Sequence, residues 1–210
     1  FPTRRSSDLD CAAECIKLTT RKAALRVAEY SFDYARKNGR KKVTCVHKAN
    51  AVSMADGLFL ACFREVAARN PDIPSDDFMV DATAYYLAKC PEKFDVIVAS
   101  NQYGDILSDL AAGLVGSLGL APGANVGENG EIVVEASHGA APDIAGREIA
   151  NPIALILSGA LLLRHIGRCD QAIRVEQAVA EVLNERLSLT PDLGGTGTTM
   201  GVAEEIVGRM

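Results

Sequence analysis

Lys42-Val43-Thr44-Cys45-Val46 is a β-branched run followed at once by His47-Lys48-Ala49-Asn50. Such a run reads as a buried strand, with a polar turn at its carboxyl end. A second strong strand is predicted at Phe94-Asp95-Val96-Ile97-Val98-Ala99, and shorter ones over 78–80 and 131–135. Helical stretches lie between them. Thr19 and Thr20 can cap a helix over 21–38 that Gly39 stops. Ser53 followed by Asp56 forms a capping box for a helix running to Arg69. The stretch 70–77 reads as a loop and 82–90 as a short helix. A helix from Gly104 to Gly116 leads into a glycine-rich loop carrying Gly119, Gly123, Gly127 and Gly130. Asn151-Pro152 opens a long apolar helix with Pro at its first position and Gly167 as its stop. Helices near 170–187 and 201–210 complete the chain. The alternation predicts an α/β fold in two parts, with the seam at the composition change near Gly116–Gly130.

Composition narrows the function. The chain has 210 residues and a formal net charge of −5. An acidic balance argues against a nucleic-acid partner, which demands a basic surplus. The longest apolar run, Ile153 to Leu163, is too short to span a membrane. The six cysteines contain no CxxC pair and there are only three histidines, so a zinc site is not expected and the thiols read as reduced. Residues 1–9 (Phe1-Pro2-Thr3-Arg4-Arg5-Ser6-Ser7-Asp8-Leu9) lack the apolar core of a signal peptide. They resemble translated adapter sequence, and the native start of the chain is expected to be missing.

Four stretches bear on chemistry. Lys48 follows a buried strand, where partial desolvation makes a lysine a usable base; a solvated strand-end lysine is the plain alternative. Asp105 and Asp109 are i and i+4 on one helix face, where like charges repel by a few tenths of a kcal/mol. A hard divalent cation such as Mg²⁺ or Mn²⁺ would offset that repulsion. Their alternative role is to complement a helix N-terminus. In Glu135-Ala136-Ser137-His138-Gly139-Ala140-Ala141-Pro142-Asp143-Ile144-Ala145-Gly146, His138 offers a ring for stacking on an adenine. Asp143 there offers an acceptor pair for a ribose diol; an ordinary turn is the alternative. Finally, GxGxxG, GK[ST], GxSxG and HExxH are all absent from the sequence.

Together these stretches resemble the isocitrate/isopropylmalate dehydrogenase family, the metal-dependent β-decarboxylating dehydrogenases. The resemblance runs from about Glu14 to the C-terminus. It rests on His47-Lys48-Ala49-Asn50 with Asp56-Gly57-Leu58-Phe59, on Asn101 to Asp109, on His138 to Gly146 with Ala150-Asn151-Pro152, and on Asp192-Leu193-Gly194-Gly195. The wording is nearest that of the NAD-dependent isocitrate dehydrogenases, including the opening Glu14 to Thr20.

The resemblance implies a two-part α/β fold that is not Rossmann. Residues 10–115 would form the small, dimerising and metal-binding domain. Residues 116–210 would be the C-terminal part of an incomplete large, cofactor-binding domain. It implies Lys48 as the base for the substrate hydroxyl, lent by a neighbouring subunit, and Asn50 near the nicotinamide. Asp105 and Asp109 would hold Mg²⁺ or Mn²⁺, completed by Asp81 of a second subunit. Glu135 would face the nicotinamide. His138, Gly139, Ala141, Pro142, Ile144 and Asn151 would surround the adenosine of NAD, and Asp143 would favour NAD over NADP by repelling a 2′-phosphate.

The implied reaction is oxidation and decarboxylation of a small 2-hydroxy acid, isocitrate first and isopropylmalate or homoisocitrate second. The implied assembly is a homodimer or hetero-oligomer with shared sites, in the bacterial cytoplasm or the mitochondrial matrix. A non-catalytic regulatory subunit is the alternative from another class, against which the intact Lys48, Asp81, Asp105 and Asp109 count. Ala140 stands where the family usually has Thr or Ser, and Ser100 where the nearest subgroup commonly has Pro. The family's substrate-binding arginines, its proton-donating tyrosine and its substrate-selecting loop have no counterpart here, so the chain by itself is expected to be a poor enzyme.

Overall fold

The structure is a computed structural model that describes residues 15–186 and 188–210. The expectation of a foreign segment at 1–9, like Cys11 and Glu14, falls outside the described residues. The described residues form two compact units, one ending at Ile106 and one beginning at Leu107.

In the first unit, β1 (Val43–His47) is buried along its whole length and lies between β2 (Ser75–Met79) and β3 (Val96–Ala99). Both neighbours pair with it in parallel, Val43 opposite Ser75 on one side and opposite Val96 on the other. A central parallel strand is covered on both faces, which is why its sequence is almost uninterruptedly apolar. α1 (Arg21–Lys37) and α2 (Ser53–Arg69) pack against each other through Ala28, Phe32, Phe63 and Val66. The Phe32 and Phe63 rings stack with centroids 5.7 Å apart. Fully burying Phe32 alone contributes about 2–3 kcal/mol. α3 (Val80–Lys89) packs on β2 and β1. The path from β1 through α2 to β2, then back through α3 to β3, reverses direction across the sheet. With right-handed crossovers this places α2 and α3 on opposite faces.

The second unit is built on α5 (Ile153–His165), which lies against an antiparallel hairpin of β4 (Pro122–Val126) and β5 (Ile132–Ala136). Its other side meets α6 (Cys169–Glu185), which in turn meets α7 (Thr199–Val207). Ile153, Val179, Val182, Val202 and Ile206 form the core. α4 (Asn101–Val115) runs across the boundary between the units.

Most predicted elements form with shifted ends. α1 is capped by Thr20, whose hydroxyl accepts from Ala23 N–H. β2 begins at Ser75, inside the predicted loop, because its two aspartates find donors on β1 and α2. α4 begins at Asn101 rather than Gly104. β4 lies within the predicted glycine-rich loop and adds a strand that the sequence pattern does not announce. Pro152 caps α5 instead of opening it, and the Asn151 side chain accepts from Ile153 N–H. The capping box of α2 does not form: the N-cap is Val52, without a side-chain bond, and Asp56 is aimed elsewhere. Leu155 on the apolar α5 is 59% exposed.

Candidate functional site

All three parallel strands end in polar groups. β1 delivers His47 and Lys48, β2 delivers Asp81 on the first turn of α3, and β3 delivers Asn101 and, one turn on, Asp105. Lys48 Nζ donates to Asp81 Oδ1 at 2.6 Å. That hydrogen bond, with the backbone N–H groups at the start of α3, holds the Asp81 carboxyl below its usual range. The register explains the meeting, since His47 lies opposite Met79 and the two chains leave the sheet side by side. Asn50 is exposed in the turn that follows.

His47 is buried and fixed at both ring nitrogens. Nδ1 accepts from Ala49 N–H at 3.1 Å, so the proton on Nε2 points to Asp77 Oδ2 at 3.2 Å. Burial opposes ionisation of Asp77, but donation from Arg64 and His47 outweighs it and lowers its pKa. The backbone of Lys48 is tied as closely. Its N–H donates to Asp56 Oδ2 at 2.7 Å, and its carbonyl accepts from Ala51 and Val52.

Asp105 and Asp109 are both exposed and lie one turn apart on α4. Because α4 begins at Asn101, neither carboxylate is in its first turn. A helix N-terminus acts on charge only within about that first turn, so dipole complementation does not explain them. Two exposed carboxylates on one face remain, a donor set of hard oxygens that fits Mg²⁺ or Mn²⁺ better than softer ions. Among the described residues, no three His, Cys, Asp or Glu side chains of one chain gather into a metal cage. The Ser100 hydroxyl at the head of α4 is buried without a hydrogen-bond partner among the described residues.

In the second unit Glu135 lies on β5 and its Oε1 accepts from Asn125 at 2.8 Å. The loop beyond it is open to solvent, with His138, Gly139, Ala141, Pro142 and Asp143 all exposed and Ile144 half-buried. His138 Nδ1 lies 3.0 Å from the Gly139 carbonyl. Ala141 adopts a left-handed conformation, φ 42°, just before the short 3₁₀ turn Pro142–Ile144. Asn151 is buried and its amide is engaged at both ends, accepting from Ile153 and donating to Asp192 Oδ2 at 3.0 Å. Asp192 also receives Ser117 Oγ. Burial works against its ionisation, but donation from Ser117 and Asn151 brings its pKa down. Gly195 and Gly197 cannot carry side chains, because a Cβ at either would collide with a backbone oxygen of Leu189 or Ser188.

The roles of Lys17, Asp56, Tyr103, Arg64, Asp77 and Ser158 are not foreseeable from the sequence pattern. Asp56 stands in one of the family-like motifs, and only its distance from a competent N-cap hints at another use.

An open sheet with charged groups at the carboxyl ends of adjacent parallel strands is the arrangement of an α/β enzyme, whose ligands gather at those ends. The sequence pattern of the isocitrate/isopropylmalate dehydrogenases matches residues 3–207. The mitochondrial NAD isocitrate dehydrogenase catalytic subunit 5 of Arabidopsis thaliana is 50% identical over 89% of this chain and 50% of its own length. One regulatory subunit of the mitochondrial NAD isocitrate dehydrogenase of Dictyostelium discoideum is 48% identical over 94% of this chain and 56% of its own. The crystal structure of isocitrate dehydrogenase from Methylococcus capsulatus superposes with a TM-score of 0.91 at 52% identity, covering 95% of this chain and 59% of that one. The chain belongs to the isocitrate/isopropylmalate dehydrogenase family. It spans about half the length of the curated relatives it matches.

Proposed function

We propose that this chain supplies the base, the metal carboxylates and the adenosine loop of an NAD-dependent isocitrate dehydrogenase. The observation that carries the reading is the Lys48–Asp81 pair, 2.6 Å apart at the carboxyl end of the parallel sheet. Asp105 and Asp109 of one subunit, with Asp81 of a second, would hold Mg²⁺ or Mn²⁺, which when bound supplies Lewis-acid polarisation of the substrate hydroxyl and carboxylate.

Lys48 Nζ, once its ammonium has released a proton to solvent, accepts the proton of that hydroxyl as hydride leaves for NAD. Asp81 steers the ammonium while substrate is absent, and the fixed backbone of Lys48 limits where it can reach. Asn50 and Glu135 border the nicotinamide. His138 stacks on the adenine, with Gly139, Ala141, Pro142 and Ile144 shaping its pocket. Asp143 accepts the ribose hydroxyls and repels a 2′-phosphate. Asn151 acts from behind, holding the start of α5 and the Asp192 segment in place under the loop. The mitochondrial names of the relatives favour the matrix over a bacterial cytoplasm, in a homo- or hetero-oligomer with shared sites.

The test is NADH formation from isocitrate and Mn²⁺ by the assembled enzyme containing this chain. Asp105→Asn is expected to abolish Mn²⁺-dependent turnover. Undiminished turnover would favour a regulatory role, which is represented among the relatives. Faster turnover of isopropylmalate than of isocitrate would reassign the substrate.

A further inference from the structure

One buried ionisable group is left unused by this mechanism. Asp56, 2% exposed, belongs to the first turn of α2 but is not bonded to the amides of its own helix. Its carboxylate instead receives donors from two other segments. These are Lys17 Nζ at 2.5 Å and the Lys48 backbone N–H at 2.7 Å, with Tyr103, on the first turn of α4, beside Lys17. The Lys17 ammonium also lies 4.2 Å from the centre of the Tyr103 ring. A carboxylate taken this far from water is costly unless it is paired and hydrogen-bonded, and here each oxygen has a donor, one of them a cation. Burial pushes toward the neutral acid, yet the donors outweigh it and keep the pKa below the ordinary carboxylate value.

The placement matters because of what it does to Lys48. With its N–H held by Asp56 and its carbonyl accepting from Ala51 and Val52, Lys48 keeps no free backbone group. Only its side chain retains freedom, and that side chain meets Asp81. We propose that Asp56 is the positioning residue for Lys48, a buried strut that fixes the lysine turn against Lys17 and the head of α4. This rests on the reading of Lys48 as the base.

The experiment uses two double variants of the assembled enzyme, each with Lys17→Met so that no lysine is left facing an empty carboxylate position. Asp56→Ala removes every acceptor. Asp56→Asn returns one oxygen for the Lys48 N–H. In the Ala variant, the Lys48 amide is expected to exchange with solvent at least tenfold faster while those of Cys45 and Val46 keep their rates. Its kcat is expected to fall about tenfold or more, with KM for NAD within twofold of the parent. The Asn variant is expected to recover kcat to within threefold, even where its melting temperature stays as low as that of the Ala variant. Equal kcat in the two variants, or an unaltered Lys48 exchange rate in the Ala variant, would overturn the proposal. Lys48→Met separates the two readings: if turnover survives it, Lys48 is not the base, and the exchange rates alone decide whether Asp56 holds it.

Discussion

The two units solve the problem of holding a reactive surface in opposite ways. In the first, Lys48 and the residues around it leave the ends of parallel strands and are tied to neighbours by charge, as in Lys48 with Asp81, His47 with Asp77 and the Lys48 backbone with Asp56. In the second, the candidate residues from His138 to Ile144 occupy an open loop, and order comes from below. The Ser158 hydroxyl, fully buried on α5, accepts from Gly123 N–H and faces the carbonyls of Glu135 and Ala154 at 2.7 Å. One hydroxyl thus fastens both strands of the hairpin to the helix beneath. A site for proton transfer demands atoms held to fractions of an ångström, and strand ends provide that. A loop that admits and releases a nucleotide needs a firm root and a mobile surface.

Four measurements put this contrast at risk. The largest effect is expected from Lys48→Met, which should lower kcat by about 10²–10⁴-fold, the usual contribution of a general base. Steady-state kinetics with NAD and isocitrate would show it, and a loss confined to KM would mean that Lys48 binds rather than reacts. Ser158→Ala should cost about 1–3 kcal/mol, because it strands a buried amide and leaves two carbonyls less well served. Urea unfolding gives the total. Hydrogen exchange should place the loosening in the second unit and spare β1; equal loosening of both units would deny their independence.

Acid comes next. Asp56, Asp77 and Asp81 in the first unit, and Glu131 and Asp192 in the second, all have pKa values below their ordinary ones. A carboxylate of this kind lends stability that is complete above its unfolded pKa, about 3.9 for Asp and 4.3 for Glu. That stability fades as pH drops through the lower folded value. Protection factors, corrected for the intrinsic pH dependence of exchange and followed from pH 5 downward, should therefore fall further in the first unit, which holds three such carboxylates, the buried Asp56 among them, against two in the second. Parallel curves would count against charge as its fastening. The smallest effect belongs to Ala141, whose left-handed backbone strains a residue bearing a Cβ. Ala141→Gly should stabilise the second unit by about 0.5 kcal/mol after the entropic cost of glycine, and a melting curve would detect it.

How far the sequence reveals this arrangement depends on whether a segment carries its own reasons for its shape. β1 is legible because Val43, Cys45 and Val46 leave no other use for the stretch. β4 is not, because Pro122-Gly123-Ala124-Asn125-Val126 has poor strand propensity and is extended only through pairing with β5. The beginning of β2 is hidden for a similar reason. Ser75-Asp76-Asp77 looks like loop until Thr44 and Lys42 supply donors to Asp76, and Arg64 and His47 to Asp77. Asp105 and Asp109 stand out by spacing, but their independence from the helix end emerges only from a helix that begins at Asn101. Asp56 reads wrongly as a capping residue, since local rules cannot foresee a partner 39 positions earlier in the chain.

The adjacent carboxylates of β2 have one more consequence. They lie on the outer strand of the described sheet, one on each face, where an open rim of amides could recruit a strand from another molecule. Lining up a second copy in register would stack aspartate on aspartate at a spacing of about 4.8 Å, a repulsion that grows with every added strand. The pair that stitches the rim to its own protein therefore also discourages the rim from seeding a fibril.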